Sequence, residues 1–412
     1  MSDSYFVSGL VANACVQAWG VTVADEHTLT DFQKAKLQNG RPWEIFIAGT
    51  PPSADWNVIF DNNIVPNADF ELDNNGETPT SWTVESGAPT VSTDQSHTGS
   101  KSLKLNATDE EASVKIKAIM GKKYRVEVAL WGDGTGNIEF YLIDTVTGKY
   151  KTSASETSWT ATETALFTRS TASFAVSTQT FVIDSPTGGS GGVTDLKIRI
   201  KQASGVGAAY ADLAIVYPEI DFASLHYMNV PDSIAIEIWS ADDLAFTTND
   251  VLEDTIPVQR WRSFVKFTPD SSTPKRWWRF LFSGTAFDPI RLGQPVLASA
   301  TTVNSAQEVT RGNRSMPLVG SALRPTPKSP ESIYSYNLEF ISAVTEYATF
   351  VEELYGPCKS AEPVIFVIDA NQTVRYPVMH GMLSPRHAWS RTGDLYTHRV
   401  IFTEDPFVVS VT

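Results

Sequence analysis

Residues 124–131 read Tyr-Arg-Val-Glu-Val-Ala-Leu-Trp, and the alternation in this stretch decides the fold. In an extended chain Tyr124, Val126, Val128 and Leu130 share one face, while Arg125, Glu127 and Trp131 share the other with Ala129. That two-residue period belongs to a strand with one face in a core. Short runs of the same kind recur on both sides, at Lys101–Leu105, Ala112–Lys117, Ile138–Asp144, Leu196–Lys201 and Ala209–Val216. They are spaced by Thr, Ser, Gly and Asp from Asn62 to Tyr217, which predicts a β-sandwich. Pro186–Val193, Pro-Thr-Gly-Gly-Ser-Gly-Gly-Val, reads as a flexible loop within it.

Further out the texture changes. Trp56–Phe60 precedes this segment, and aromatic strands at Ser233–Trp239, Trp261–Phe267 and Trp277–Phe282 follow it. The simplest reading is an insertion at a surface loop whose ends lie close. Residues 1–61 with 218–300 then form one discontinuous β-sandwich, and 62–217 form the inserted one. A short helix is expected near Thr30 and Gln33, a capping-box pair ended by Asn39-Gly40.

Residues 301–332 carry Pro317, Pro325, Pro327 and Pro330 and read as an extended arm or linker. From 333 to 412 the pattern is a strand at Tyr334–Ile341 and a helix with Val344, Tyr347, Ala348, Val351, Leu354 and Tyr355 on one stripe. Strands at Pro363–Ile368, Thr373–Val378 and Leu395–Thr403 follow. This predicts a small α+β domain, so the fold class is mainly β.

With 412 residues, 42% hydrophobic and only 19% charged, the chain is long enough for several cores. Its net charge of -15 disfavours nucleic acid and an anionic membrane surface as partners. No apolar run approaches the roughly 20 residues of a membrane helix, so membrane insertion is not expected. The one basic cluster, Lys275, Arg276 and Arg279 around Trp277 and Trp278, reads as a strand with alternating aromatic core positions and solvated or partner-facing arginines. Cys15 and Cys358 form no metal or disulfide pattern. The spacing of His380, His387 and His398 matches no zinc motif. The start, with Asp3 and no early Lys or Arg, lacks a secretory n-region and predicts synthesis in the cytoplasm.

Glu71, Asp133, Glu139 and Asp144 are the acids available for glycoside hydrolysis, but none sits in a catalytic motif, so no enzyme activity and no catalytic residue are expected. Sugar binding instead needs exposed aromatic faces flanked by hydrogen-bonding groups. Trp131, off the apolar face of its strand, is the first candidate, with Tyr141 and Tyr150 as neighbours across a hairpin. Trp82 and Trp159 read as structural.

Three stretches carry a resemblance to carbohydrate-binding modules of families 4, 9 and 22: Asn67-Ala-Asp-Phe-Glu71, Pro79-Thr-Ser-Trp82 and Gly99-Ser-Lys-Ser-Leu103. Tyr210-Ala-Asp-Leu-Ala-Ile-Val216 is similar to the final strand of those modules. The resemblance implies a jelly roll whose opening segment forms a strand. It also implies a structural calcium ion where first and last strands meet, with Glu71 and Asp212 as its carboxylates.

More loosely, Trp277-Trp-Arg-Phe-Leu-Phe282 and Ile290-Arg-Leu-Gly-Gln-Pro295 resemble virion structural proteins of long-tailed phages, and the C-terminal pattern resembles the tube-type fold of tail tubes and distal tail proteins. That likeness implies a distal or minor tail protein at the tail tip of a virion, made in the host cytoplasm. Its partners would be its own copies in a homo-oligomeric ring, the tail tube, the baseplate hub and a host cell-surface glycan. The alternative is a free-standing glycan-binding protein or a glycoside hydrolase accessory.

Overall fold

The computed structural model describes residues 56–119, 121–183, 193–228, 230, 233–257, 261–269 and 273–283, with further strands on either side. Every strand pairing is antiparallel, and no helix occurs among the described residues. The helices expected near residues 30–39 and 344–355, both cysteines and residues 184–192 lie outside them.

Residues 83–218 form a jelly-roll-like sandwich of two sheets. One has five strands in the order Ala175–Val182, Lys123–Trp131, Ala209–Pro218, Ser102–Leu105 and Thr90–Ser92. The other has seven: Trp159–Thr160, Lys149–Lys151, Ile138–Asp144, Val193–Gln202, Glu111–Ile119 and Thr83–Ser86, with Phe167–Arg169 also on Ile138–Asp144. The alternation read from the sequence sets which face is inside. Tyr124, Val126, Val128 and Leu130 are buried and share one core with Ile138, Phe140, Leu142, Ile198 and Ile200 from the facing sheet. Each such side chain contributes roughly 1.5–3 kcal/mol when fully buried. Tyr124 also stacks on Phe181, with ring centroids 5.6 Å apart.

Two local expectations are corrected. Asn67–Glu71 is a run of turns rather than a strand, because Asn67 and Phe70 take positive φ of 49° and 59°. Asn67 folds back to donate to Asp73 Oδ2 at 2.6 Å, and Trp82 Nε1 donates to Asn67 O at 3.3 Å. Phe70 and Trp82 pack 5.2 Å apart, so this opening acts as a buried plug. Ala175–Val182, which the sequence reading passed over, pairs with Lys123–Trp131 along its whole length.

Beside the sandwich lies a five-stranded sheet ordered Val251–Ile256, Ala235–Ala241, Trp277–Ser283, Trp56–Asp61 and Thr22–Ala24. Trp56–Asp61 thus pairs with a strand more than 200 residues away, with Phe60 opposite Trp278. The two ends of the 62–217 segment meet here. Asn62 donates from its backbone to Arg276 O at 2.9 Å and from Nδ2 to Pro218 O at 2.8 Å, while Ile64 N reaches Val216 O at 2.8 Å. In Trp277–Ser283, Trp278, Phe280 and Phe282 are buried. On the other face Arg279 lies over Trp239 and Phe246, and Arg276 pairs with Asp61.

Two segments fall elsewhere than the sequence division puts them. Tyr5–Val7 pairs with Val364–Val367 rather than with the sheet that holds Trp56–Asp61. Within the expected arm, Thr302–Val303 pairs with Tyr5–Val7, and Glu308–Asn313 pairs with Tyr334–Ala343. Regular backbone pairing there satisfies donors and acceptors that a free arm would leave to water. These strands, with Val378–Leu383, Ala388–Thr392 and Leu395–Glu404, make one eight-stranded sheet.

Candidate functional site

Trp131 ends its strand on the face turned away from the core, half-buried, and the strand pairing sets its neighbours. Tyr210 is its register partner in Ala209–Pro218, and Lys104 is the register partner of Tyr210 in Ser102–Leu105. A row Lys104–Tyr210–Trp131 therefore crosses three strands. Phe174, just before the fourth strand, meets Trp131 edge-on at 5.3 Å, and Tyr210 does so at 6.4 Å. His97, on the turn before Ser102–Leu105, packs against Phe174 at 5.8 Å. The result is an aromatic cluster of Trp131, Phe174, Tyr210 and His97 with an ionic rim. Lys104 Nζ bonds Asp94 Oδ2 at 2.7 Å and lies 5.9 Å over the Tyr210 ring. The Asp94 carboxylate holds the Lys104 ammonium above the ordinary lysine range, so the rim cation stays charged at any physiological pH.

The loops that carry this cluster are pinned by a carboxylate. Asp133, two residues beyond Trp131, accepts N–H groups from Thr135 and Gly136 on its own turn, at 2.7 and 2.6 Å. It also accepts those of Val206 and Gly207 on the turn leading to Tyr210, at 2.9 and 2.8 Å. Gly205, with φ of 112°, lies so close that an added Cβ would strike this carboxylate. Desolvation pushes the Asp133 carboxyl up, but the donors of Gly207, Thr135 and Gly136 outweigh it and hold the group well below the usual aspartate range.

A depressed folded-state value means the contribution is complete above the unfolded aspartate pKa of about 3.9 and is lost as pH falls toward the folded value. Asp133→Asn is expected to lower stability by about 2 kcal/mol near neutrality. In denaturant titrations across pH, its deficit against the parent should shrink below about pH 4. A deficit that does not change with pH would show that the charge is not what holds the loops.

Tyr141 and Tyr150 are together but apart from Trp131, which corrects the hairpin expected from the sequence. Lys123–Trp131 pairs with Ala175–Val182 and Ala209–Pro218, whereas Ile138–Asp144 belongs to the facing sheet and pairs with Lys149–Lys151. The two tyrosines meet edge-on at 6.1 Å, and the Arg199 guanidinium covers Tyr141 at 4.1 Å and reaches Tyr150 at 5.8 Å. Tyr141 is 4% exposed and its hydroxyl donates to Glu139. Burial, then the Glu139 bond, raises its pKa well above the ordinary phenol value. Arg199 also pairs with Glu163, and Lys201 and Lys197 pair with Glu111 and Glu85. The face is a lattice of ion pairs with no open aromatic plane at Tyr141.

The two residues expected to hold calcium both turn toward the 96–101 turn. Asp212 accepts the amides of His97 and Thr98, each at 2.8 Å, and of Leu213 at 2.7 Å. Glu71 accepts those of Ser100 and Lys101 at 2.6 and 2.7 Å and the Ser100 hydroxyl at 2.9 Å. Calcium takes six to eight oxygen ligands, whereas this pair is met by N–H donors, and Lys101 Nζ donates to Glu71 O at 2.9 Å. Among the described residues no three His, Cys, Asp or Glu side chains gather. As placed, the residues do not fit a resident calcium ion.

His97 and Phe174 were missed from the sequence. His97 sits in a Ser- and Thr-rich turn and Phe174 in a Ser- and Ala-rich one, so neither has a periodic signal.

No protein-family description matches the chain, and no curated protein does. Among solved structures it is similar to the CBM22-1 xylan-binding domain of Xyn10C from Paenibacillus barcinonensis, at 14% identity over 37% of this chain and 91% of that one, with a TM-score of 0.27. It is similar to a structure described as CBM4, at 15% identity over 38% and 99%, TM-score 0.25. It is also similar to the enzymatically active domain of tailspike protein 4 of bacteriophage CBA120, at 15% identity over 38% and 21%, TM-score 0.26. At these scores no function is carried over from them. The described residues are all β, with a jelly-roll-like sandwich, and the candidate site rests on the residues above.

Proposed function

We propose that the chain is a structural protein of a phage tail tip, and that its 62–217 segment is an inserted module that adheres to a host-surface glycan. The observation that carries the binding half is the Trp131–Phe174–Tyr210–His97 cluster, built on the outward face of a sheet whose inward face already fills the core. A saccharide offers apolar C–H faces and hydroxyls. Trp131 and Phe174, both half-buried, offer planes for the first, backed by the buried Tyr210, and Lys104, Asp94 and His97 offer hydrogen bonds for the second.

Two observations support the insertion. Asn62 bonds Pro218, so the segment leaves and returns at one point, and Trp56–Asp61 pairs with Trp277–Ser283 across it. The tail-tip half rests on the sequence resemblance of residues 277–295 and the C-terminal pattern. It assigns homo-oligomeric ring contacts to the flanking sheets. Binding rather than cleavage is favoured because the acids near the cluster are engaged, Asp94 by Lys104 and Asp212 by backbone amides. A free-standing glycan-binding protein shares the same site and differs in being monomeric.

A glycan array probed with the full chain and with Trp131→Ala tests the binding half. Bound spots that fall at least about tenfold with Trp131→Ala, at unchanged thermal midpoint, are expected; tenfold corresponds to 1.4 kcal/mol. Silence across the array, or binding indifferent to Trp131, would refute the site.

A further inference from the structure

We infer that Glu71, Lys101 and Asp212 form a clasp that closes the sandwich without a metal ion, at the place where the sequence resemblance implies calcium. The 96–101 turn is held from two sides. Asp212, fully buried on the last strand of the sandwich, takes the amides of His97 and Thr98, while Glu71, on the opening segment, takes those of Ser100 and Lys101. Between them Gly99 has φ of 61°, and a Cβ there would collide with the Glu71 carboxylate. Only glycine lets the turn come this close.

Glu71 Oε1 is taken by two amides and Oε2 by the Ser100 hydroxyl, and Asp212 is taken by three amides, so donors of the chain occupy the oxygens that a cation would need. The chain places its own cation, Lys101, beside the opening segment. Lys101 Nζ donates to Glu71 O at 2.9 Å, which ties the turn to the opening segment a fourth time, after the Ser100 amide and hydroxyl and the Lys101 amide. The same turn bears His97, whose ring packs on Phe174, so the clasp also sets one edge of the aromatic cluster.

The test is thermal unfolding of the full chain in calcium and in chelator, with equilibrium dialysis against calcium. The expected result is one midpoint in both media and no stoichiometric calcium. Gly99→Ala should lower the midpoint by several degrees, equally in both. One equivalent of calcium bound by the parent chain, with a midpoint that drops in chelator, would overturn the inference, and so would a Gly99→Ala chain as stable as the parent. The dialysis of the parent chain decides even where a variant fails to fold, and it is indifferent to whether a glycan binds.

Discussion

Trp278→Ala is expected to lower the stability of the chain by about 3–5 kcal/mol, the range for removing a buried aromatic side chain. Trp278 is 1% exposed and packs against Phe267 at 6.1 Å. Its Nε1 donates to Lys275 O at 3.0 Å, the carbonyl that Asn62 Nδ2 also approaches, at 3.4 Å. The strand opposite, Trp56–Asp61, leads directly into the 62–217 segment, with Phe60 in register. Truncation therefore removes a core ring and loosens the junction on which that segment stands. Native domains are stable by only about 5–15 kcal/mol, so the loss is a large share. Trp278→Phe should recover most of the packing and leave about 1 kcal/mol for the lost hydrogen bond. Urea titrations of the three chains measure this. A Trp278→Ala deficit under about 1 kcal/mol would mean the ring does not pack as described.

The second large effect comes from a buried cation. Lys151 is fully buried, and its ammonium donates to the carbonyls of Thr152, Ser155 and Ser158 at 2.5, 2.6 and 3.1 Å, using all three hydrogens. It also lies 5.9 Å over the Trp159 ring. The price of desolvating the charge is offset by bonds to charged donors, which are roughly twice as strong as neutral ones. Lys151→Met keeps the stem and strips the donors: Ser158 O keeps the Thr152 amide and hydroxyl and Ser155 O keeps the Ser158 amide, while Thr152 O is left to find water. A loss of about 3 kcal/mol is expected from removing three charge-assisted bonds, less than their sum because the 153–157 turn is exposed and lets water in. Equal stability of Lys151→Met and the parent in urea would show that solvent already serves those carbonyls.

Strand interiors were legible wherever one face is apolar. Ile138–Asp144 was read with its observed bounds, and the inward set of Lys123–Trp131 was read residue by residue. In Trp277–Phe282 the sequence shows aromatic core positions, and Trp278, Phe280 and Phe282 fill them. Pairing partners were not legible. A two-residue period says which face a side chain takes, not which strand lies beside it. Hence Trp131 was joined to Tyr141 and Tyr150, which the tertiary pairing places on the facing sheet, while its actual neighbours Phe174 and Tyr210 lie far along the chain, beside or on the two strands that flank its own.

Ala175–Val182 escaped because all its residues but the buried Phe181 are exposed or half-buried, and Ser and Thr carry little of the apolar signal. At Asn67–Glu71 the resemblance implied a strand, but an Asn side chain that bonds locally tolerates positive φ and makes a turn instead. The resemblance also named Glu71 and Asp212 as a pair. Both do act on one turn, through amide donors that sequence patterns do not reveal.

The measurement closest to the central claim is affinity electrophoresis of the full chain on a glycan selected by the array, comparing Trp131→Ala with Tyr150→Ala. The two residues lie on opposite sheets of one sandwich, so each variant reports on one face. Retardation abolished by Trp131→Ala and kept by Tyr150→Ala is the result predicted here. Retardation kept by Trp131→Ala and abolished by Tyr150→Ala would move the site to the Arg199 face and contradict the assignment.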